Sequence, residues 1–470
     1  MCFNYNGSIR FRLVNLIAIT CLILVGCKKS WLNEKQNKSD VVPTTLKDFQ
    51  AILDNHTTMN DVYPALGLVS SDNLYLTDAR IGSATVTERS AYLWAKDIFN
   101  GASSSDWSSA YKVVEYANIV LDGLPDIDVT VSNQADFDNI TGSALFFRAF
   151  AFYTLSQTFC KPYNSSSANA DLGIPVRLSS NVNQTSVRAT VQQTYDQMIN
   201  DLKRATSLLP VTPVYVYRPS KCAANALLSK IYLSMEDYTN AFTSVNLALA
   251  DNSGLLDYNN TSVVPQGTFR FPSAVGGKSF NEIIFYAQSV NYAVIRATAG
   301  TAIIDSTLFK SYGSNDLRKT IFFKDNGGGA VQYFGTYTGS AQCFSGIATN
   351  ELFLIRAECY ARQNNVAAAL TDLNALLVKR WKMGTFSPIT AVDANDALNK
   401  ILQERRKELP FTGQIRWEDL RRLNNDQRFA QPLKRIYSGT AYTLPPNDDK
   451  YVLPIPDNEI QLTGMTQNPR

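Results

Sequence analysis

ERRKELPFTGQIRWEDLRRLN, residues 404–424, read with the two helical segments that lead into it from Asn350, decides the fold of this chain. In the first segment Leu352, Ile355 and Cys359 fall on one stripe, with Phe353, Ala357 and Tyr360 beside them. After the break at Asn364-Asn365, Val366, Ala369, Leu370, Leu373, Leu376 and Leu377 recur at three- and four-residue steps. That spacing gives each helix one apolar face, and so short a break folds the two into an antiparallel pair. Asp393 is placed to cap a third helix, which buries Leu398, Ile401, Leu402 and Leu409 and stops at Pro410. Charge is dense in the quoted stretch: Glu404, Arg405, Arg406, Lys407 and Glu408, then Arg416, Glu418, Asp419, Arg421 and Arg422. Mixed signs at helical spacing predict an internal ion-pair network and not a nucleic-acid surface.

Three blocks stand in order over the last quarter of the chain. The helix pair LIRAECYARQNNVAAALTDLNALLVKR is followed by ERRKELPFTGQIRWEDLRR, and then by YVLPIPDNEI with a terminal QNP. Together they resemble the SusD/RagB family. The resemblance implies a mostly α fold and a surface lipoprotein that binds nutrients beside a TonB-dependent (SusC-like) transporter. Two positions depart from the family pattern. Thr412 stands where an acidic residue is usual between Phe411 and Gly413, which removes a partner for an ion pair. Arg470 follows QNP in place of the usual glycine and tyrosine.

The chain has 470 residues, 45% apolar and 18% charged, with a net charge of +3. A core of this size is sustainable, and so small a charge gives no footing for nucleic acid or an acidic membrane surface. Arg10 and Arg12 precede an apolar run from Leu13 to Val25, too short for a comfortable transmembrane span and flanked like an export signal. The run ends Leu24-Val25-Gly26-Cys27, which resembles a bacterial lipobox and implies lipidation of Cys27. Residues 1–26 are thus expected to be a signal peptide and 27–45 a polar tether to the outer membrane. A single domain should fill 46–470: a helical part with ligand-face loops (46–250), a loop-rich insertion (251–347), and the helix pair with its tail (348–470). Cys160, Cys222, Cys343 and Cys359 fit no zinc spacing, and buried free thiols are the expectation for Cys222 and Cys359.

Before the insertion, helices are predicted over Thr45–Asp54, Trp107–Leu121, Phe137–Phe159, Thr190–Leu209 and within Ala224–Ala250. ALFFRAFAFYTL is apolar almost all round and should lie centrally. Tyr232, Ala241 and Ala248 sit at the packing offsets of a tetratricopeptide-type helix pair, and Tyr360 with Ala369 repeats the first two. The expected architecture is therefore a scaffold of tetratricopeptide-like helix hairpins in an α-α superhelix, with the irregular insertion and a few short strands such as Ile283–Ala287.

Much chemistry is missing. His56 is the single histidine, so a histidine-based triad or zinc triplet is not easily assembled around it, and no P-loop, G-x-G-x-x-G or EF-hand occurs. No cofactor or metal is expected. Glu404 and Glu408 share a helical face and could in principle act as acid and base on a glycosidic bond. Basic neighbours would hold both carboxylates ionised, which favours structural pairing. Asp72 with Asp78 or Asp97 is a weaker pair of the same kind. A sugar needs an aromatic plane flanked by hydrogen-bonding groups. Ser70–Asn100 and Asn291–Tyr337 supply both, and Asp72, Arg80, Trp94, Tyr333 and Tyr337 are the expected ligand contacts. Trp107 and Trp417 are assigned to packing. The reading is a non-catalytic lipoprotein that captures oligosaccharides and passes them to its transporter. Peptide capture, a lipid-anchored glycoside hydrolase and a purely structural helical adaptor are the alternatives.

Overall fold

The computed structural model describes residues 43–470 except 262–266, 268, 274–279, 298–301, 326 and 328–329. Cys27, the tether as far as residue 42 and the rest of the leader lie outside the described residues. The long helices are α1 (Leu46–Leu53), α2 (Ser105–Gly123), α3 (Gln134–Phe159), α4 (Val191–Leu208) and α5 (Lys221–Ser234), then α6 (Tyr238–Asp251), α7 (Thr349–Arg362), α8 (Val366–Leu377), α9 (Ala394–Glu408) and α10 (Ile415–Leu423). Thr45 caps α1 in a capping box with Asp48. Asp393 caps α9 as its position in the sequence suggests. Every residue of α3 from Ile140 to Phe159 is buried, so the apolar run forms the central rod, with α2 and α4 packed against it.

From α3 onward each long helix packs on the next, through α4, α5, α6, α7 and α8, while α9 lies against α7. The α5–α6 and α7–α8 turns are made alike. Glu236 (φ 60°) precedes the cap Asp237, and Asn364 (φ 60°) precedes the cap Asn365. Ala241 and Ala369 are fully buried at the corresponding close approaches, and Phe242 meets Tyr360 edge-on at 4.9 Å, joining one hairpin to the other.

In its described residues the insertion carries more regular structure than its composition suggests. After β2 (Leu172–Pro175) and β3 (Arg188–Thr190), which lie before it, the insertion holds β4 (Ile283–Phe285), β5 (Ile303–Ile304), β6 (Phe323–Asp325), β7 (Val331–Tyr333) and the start of β8 (Ile347–Ala348). Strand β1 (Leu74–Tyr75), from the N-terminal part, joins three of these in a sheet of order β1-β5-β7-β6. The insertion's buried aromatic residues fold inward and join the core of the helical body. Phe271, Phe280, Tyr337 and Phe344 meet there, and Phe322, Phe323 and Tyr333 cluster beside them.

The charged block is internal, as its mixed signs predict. Arg318 joins Asp316, Glu404 and Glu408, and Arg380 joins Glu408 and Glu282. A second network runs Lys230–Glu351–Arg405–Asp419–Arg422–Glu358. Lys230 lines the same small cavity as Thr412 and is paired with Glu351 at 2.9 Å, so the missing acid leaves this cation satisfied. Gly413 beside it takes φ 49° while its N–H donates to the Phe344 carbonyl, a conformation that favours glycine. In the tail, Leu453 donates its backbone N–H to Thr158 at the end of α3. Asn468 of the QNP block donates to the carbonyls of Phe159 and Leu453, which pins the chain's end to the central rod. Cys160, Cys222, Cys343 and Cys359 are free and buried.

Candidate ligand face

Leu74-Tyr75-Leu76 alternates in the period of a strand. Leu74 and Leu76 point into the core and Tyr75 points out, 52% exposed. Strand β1 runs antiparallel to β5, with Tyr75 opposite Ile303 and Leu74 opposite Ile304. Three further bonds join the same two regions. Asp305 donates its N–H to the Asn73 carbonyl (2.9 Å), Arg80 Nη2 donates to the Ala293 carbonyl (3.2 Å), and Val294 N–H donates to Glu88 Oε1 (3.1 Å). The fold thus unites the two segments that the sequence singled out. Immediately after β1, Thr77 caps a short helix (Asp78–Ser83) that begins with exposed Asp78 and carries half-buried Arg80. An aromatic plane, a carboxylate and a guanidinium lie within six positions of sequence here, the carboxylate accepting from the Ser438 N–H at 3.0 Å.

The five expected contact residues are distributed differently. Arg80 is in the short helix after β1. Asp72 accepts two bonds from Arg416 (2.7 and 2.8 Å) and pairs with Arg406 at 3.1 Å. Burial alone would raise its carboxyl, but the two arginines hold it below the usual carboxylate range. Its oxygens are occupied in supporting the loop. Trp94 is 3% exposed, with its indole N–H bonded to the Ser70 carbonyl at 3.0 Å. Tyr333 is 3% exposed, stacked on Phe411 at 4.6 Å, and donates to the Gly335 carbonyl. Tyr337 is 6% exposed and donates to Glu282 Oε1 at 2.6 Å. None of these three rings turns a face to solvent: each packs in the core with its polar atom already bonded. The residue that sequence reasoning passed over is Tyr75. Its signal was the apolar–aromatic–apolar alternation, carried by a strand too short to be read as one.

Glu404 and Glu408 are both claimed by Arg318, the first at 2.6 Å and the second at 3.1 Å, and Arg380 takes the other oxygen of Glu408. Burial opposes ionisation of Glu404, yet Arg318 and Lys407 lower its pKa overall, so it stays a carboxylate and has no proton to donate to a glycosidic oxygen. A cleft of about 310 Å³ opens elsewhere, between α2 and the 175–186 loop, over Trp107 and Tyr111. Its main polar groups are spent on the loop itself: Arg177 donates to the carbonyls of Asn181 and Gln184, and Asn118 donates to the Arg177 carbonyl.

Residues 30–233 match the profile of a family described as starch-binding and associating with the outer membrane, and residues 332–470 match the profile of the SusD family. The chain is 23% identical over 433 residues to SusD-like protein P2 of Formosa agariphila, covering 79% of this chain and 81% of that one. Among solved structures it resembles a SusD superfamily protein from Bacteroides thetaiotaomicron, with TM-score 0.72 and 21% identity over 91% of this chain and all of that one. It also resembles a SusD-like carbohydrate-binding protein from Bacteroides vulgatus, with TM-score 0.69 and 20% identity over 90% of this chain and 97% of that one. At these identities the structural likeness speaks for the fold.

Proposed function

For a chain that belongs to the SusD/RagB family, we propose a role in capturing oligosaccharides at the cell surface and handing them to a TonB-dependent outer-membrane transporter. The observation that carries the glycan part is Tyr75. Among the described residues it is one of two aromatic side chains exposed over about half their surface, and it precedes Asp78 and Arg80 by three and five positions where the two loop segments meet. A pyranose has an apolar face that covers a tyrosine ring and an edge of hydroxyls that bond a carboxylate and a guanidinium. Burying about 100 Å² of apolar surface on such a platform contributes roughly 2.5 kcal/mol before ordering costs. A site of this kind binds at about micromolar to millimolar strength, weak enough to release cargo into a transporter. Anchoring through Cys27 would keep the domain at the outer membrane. The test is electrophoresis of residues 28–470 through native gels cast with amylopectin, xylan, laminarin, mannan or alginate, with Tyr75→Ala alongside. Retardation by one polymer that the variant loses supports capture at this face. No retardation in any gel counts against it.

A further inference from the structure

Tyr215 is the other half-exposed aromatic residue among the described residues, at 50%, and it belongs to neither segment of the ligand face. It sits in PVTPVYVYRP, residues 210–219, where three prolines restrict the backbone between α4 and α5. Its ring lies parallel to that of Tyr217, 6° apart in plane with centroids at 5.1 Å, and the His56 ring stands 6.0 Å beyond Tyr217. The Arg218 guanidinium lies 5.4 Å from the Tyr215 centroid and is held there by both oxygens of Asp54. Asp54 also accepts from Gln50, which accepts in turn from Asn139. Those side chains, with Pro213 and Val214, line an adjoining cleft of about 570 Å³, a volume typical of small-ligand sites. The stack and the polar chain are fixed before any ligand arrives, so little ordering remains to oppose binding.

We infer that Tyr215 and this cleft form a second oligosaccharide-binding site, taking a neutral glycan segment whose sugar ring extends the tyrosine stack and whose hydroxyls meet the Gln50–Asp54–Arg218 chain. The site is separate from the Tyr75 face. The run from Tyr286 to Ala293 touches both regions: the Tyr286 N–H bonds the Val216 carbonyl, and the Ala293 carbonyl accepts from Arg80. An extended run of that length spans on the order of 20 Å. A polymer long enough to reach both sites gains avidity that a short oligosaccharide cannot, because its second contact is intramolecular. The inference rests on the glycan-capture reading, and the experiment separates the two. Residues 28–470, Tyr75→Ala, Tyr215→Ala and the double variant are run through the same polysaccharide gels, and the retarding polymer's oligosaccharides are titrated calorimetrically. Tyr215 is exposed, so the folded state should persist, and unchanged thermal melting checks this. The expected result is about ten-fold weaker retardation in Tyr215→Ala, residual binding in each single variant, and a stoichiometry falling from two sites to one. Retardation unaffected by Tyr215→Ala and abolished by Tyr75→Ala overturns the second site alone. No retardation of the unmodified protein overturns both readings.

Discussion

Arg435 lies against the rings of Tyr92 and Trp94, its guanidinium carbon 3.6 Å from one centroid and 4.4 Å from the other. From β9 (Leu433–Tyr437) it reaches back and donates to the carbonyls of Tyr92, Ser70 and Ser71. Burial lowers its pKa to about 10, still far above neutrality, so it remains a cation there. The C-terminal hairpin thus holds the loop that presents Tyr75, and Trp94 is part of the clamp. Trp94→Ala should cost about 3–5 kcal/mol in denaturant unfolding and weaken glycan retention as the loop loses its shape. Lost retention at unchanged stability would place the indole at the ligand instead.

Tyr75→Ala should give the opposite pattern. The ring is exposed and its removal should move the unfolding midpoint by less than about 0.5 kcal/mol. Glycan affinity should fall roughly ten-fold. Calorimetric titration and thermal melting of the same preparation separate the two effects.

Acid should unfold the protein through its internal carboxylates. Burial opposes ionisation of Glu358, but Arg422 and Arg362 outweigh it and hold the carboxyl down to about 2. A glutamate lowered in the folded state contributes stability above its unfolded pKa of about 4.5, and loses it as pH falls toward 2. The difference corresponds to about 3 kcal/mol. Glu358→Gln should therefore be less stable at pH 7 and should show a shallower decline between pH 4.5 and 2. Denaturant midpoints across that range measure both.

How much of this was legible depends on the range of each interaction. Helices α7, α8 and α9 could be read from apolar spacing and from the cap Asp393, because those signals are local. The fate of Glu404 and Glu408 was legible in kind, since basic neighbours favour pairing. Their actual partners were not: Arg318 lies inside the insertion and Arg380 follows α8, so only the closed fold brings them to the carboxylates. Tyr333 and Tyr337 show the same limit. An aromatic residue in a polar, glycine-rich segment reads alike whether the segment wraps a ligand or wraps its own core, and here it wraps Phe271, Phe280 and Phe411.

Burial also fixes the behaviour of the thiols. It raises Cys160 to about 11 and Cys222, Cys343 and Cys359 to about 12, so thiolate is scarce at pH 8. Iodoacetamide should leave these four unmodified in the native protein and alkylate all four in guanidinium, as intact mass would show.

The Arg380 site gives the sharpest test of the buried ion network. Arg380 bonds Glu408 at 2.8 Å, Glu282 at 2.7 Å and the Leu256 carbonyl at 2.6 Å, while its guanidinium covers the Tyr258 ring at 4.1 Å. Burial drives the Glu282 carboxyl upward, with the Arg380 charge opposing it. Arg380→Met strips that charge from two enclosed carboxylates and should cost about 3–5 kcal/mol. Tyr337→Phe removes one donor from Glu282 but leaves Arg380 and the Leu256 N–H in place, so about 1–3 kcal/mol should be lost. Urea unfolding should rank the variants in that order. Because the Tyr337 hydroxyl is consumed by Glu282, Tyr337→Phe should bind glycan as tightly as the unmodified protein. Weaker binding at an unchanged midpoint would mean that this hydroxyl reaches the ligand, and that the core around Glu282 opens when sugar binds.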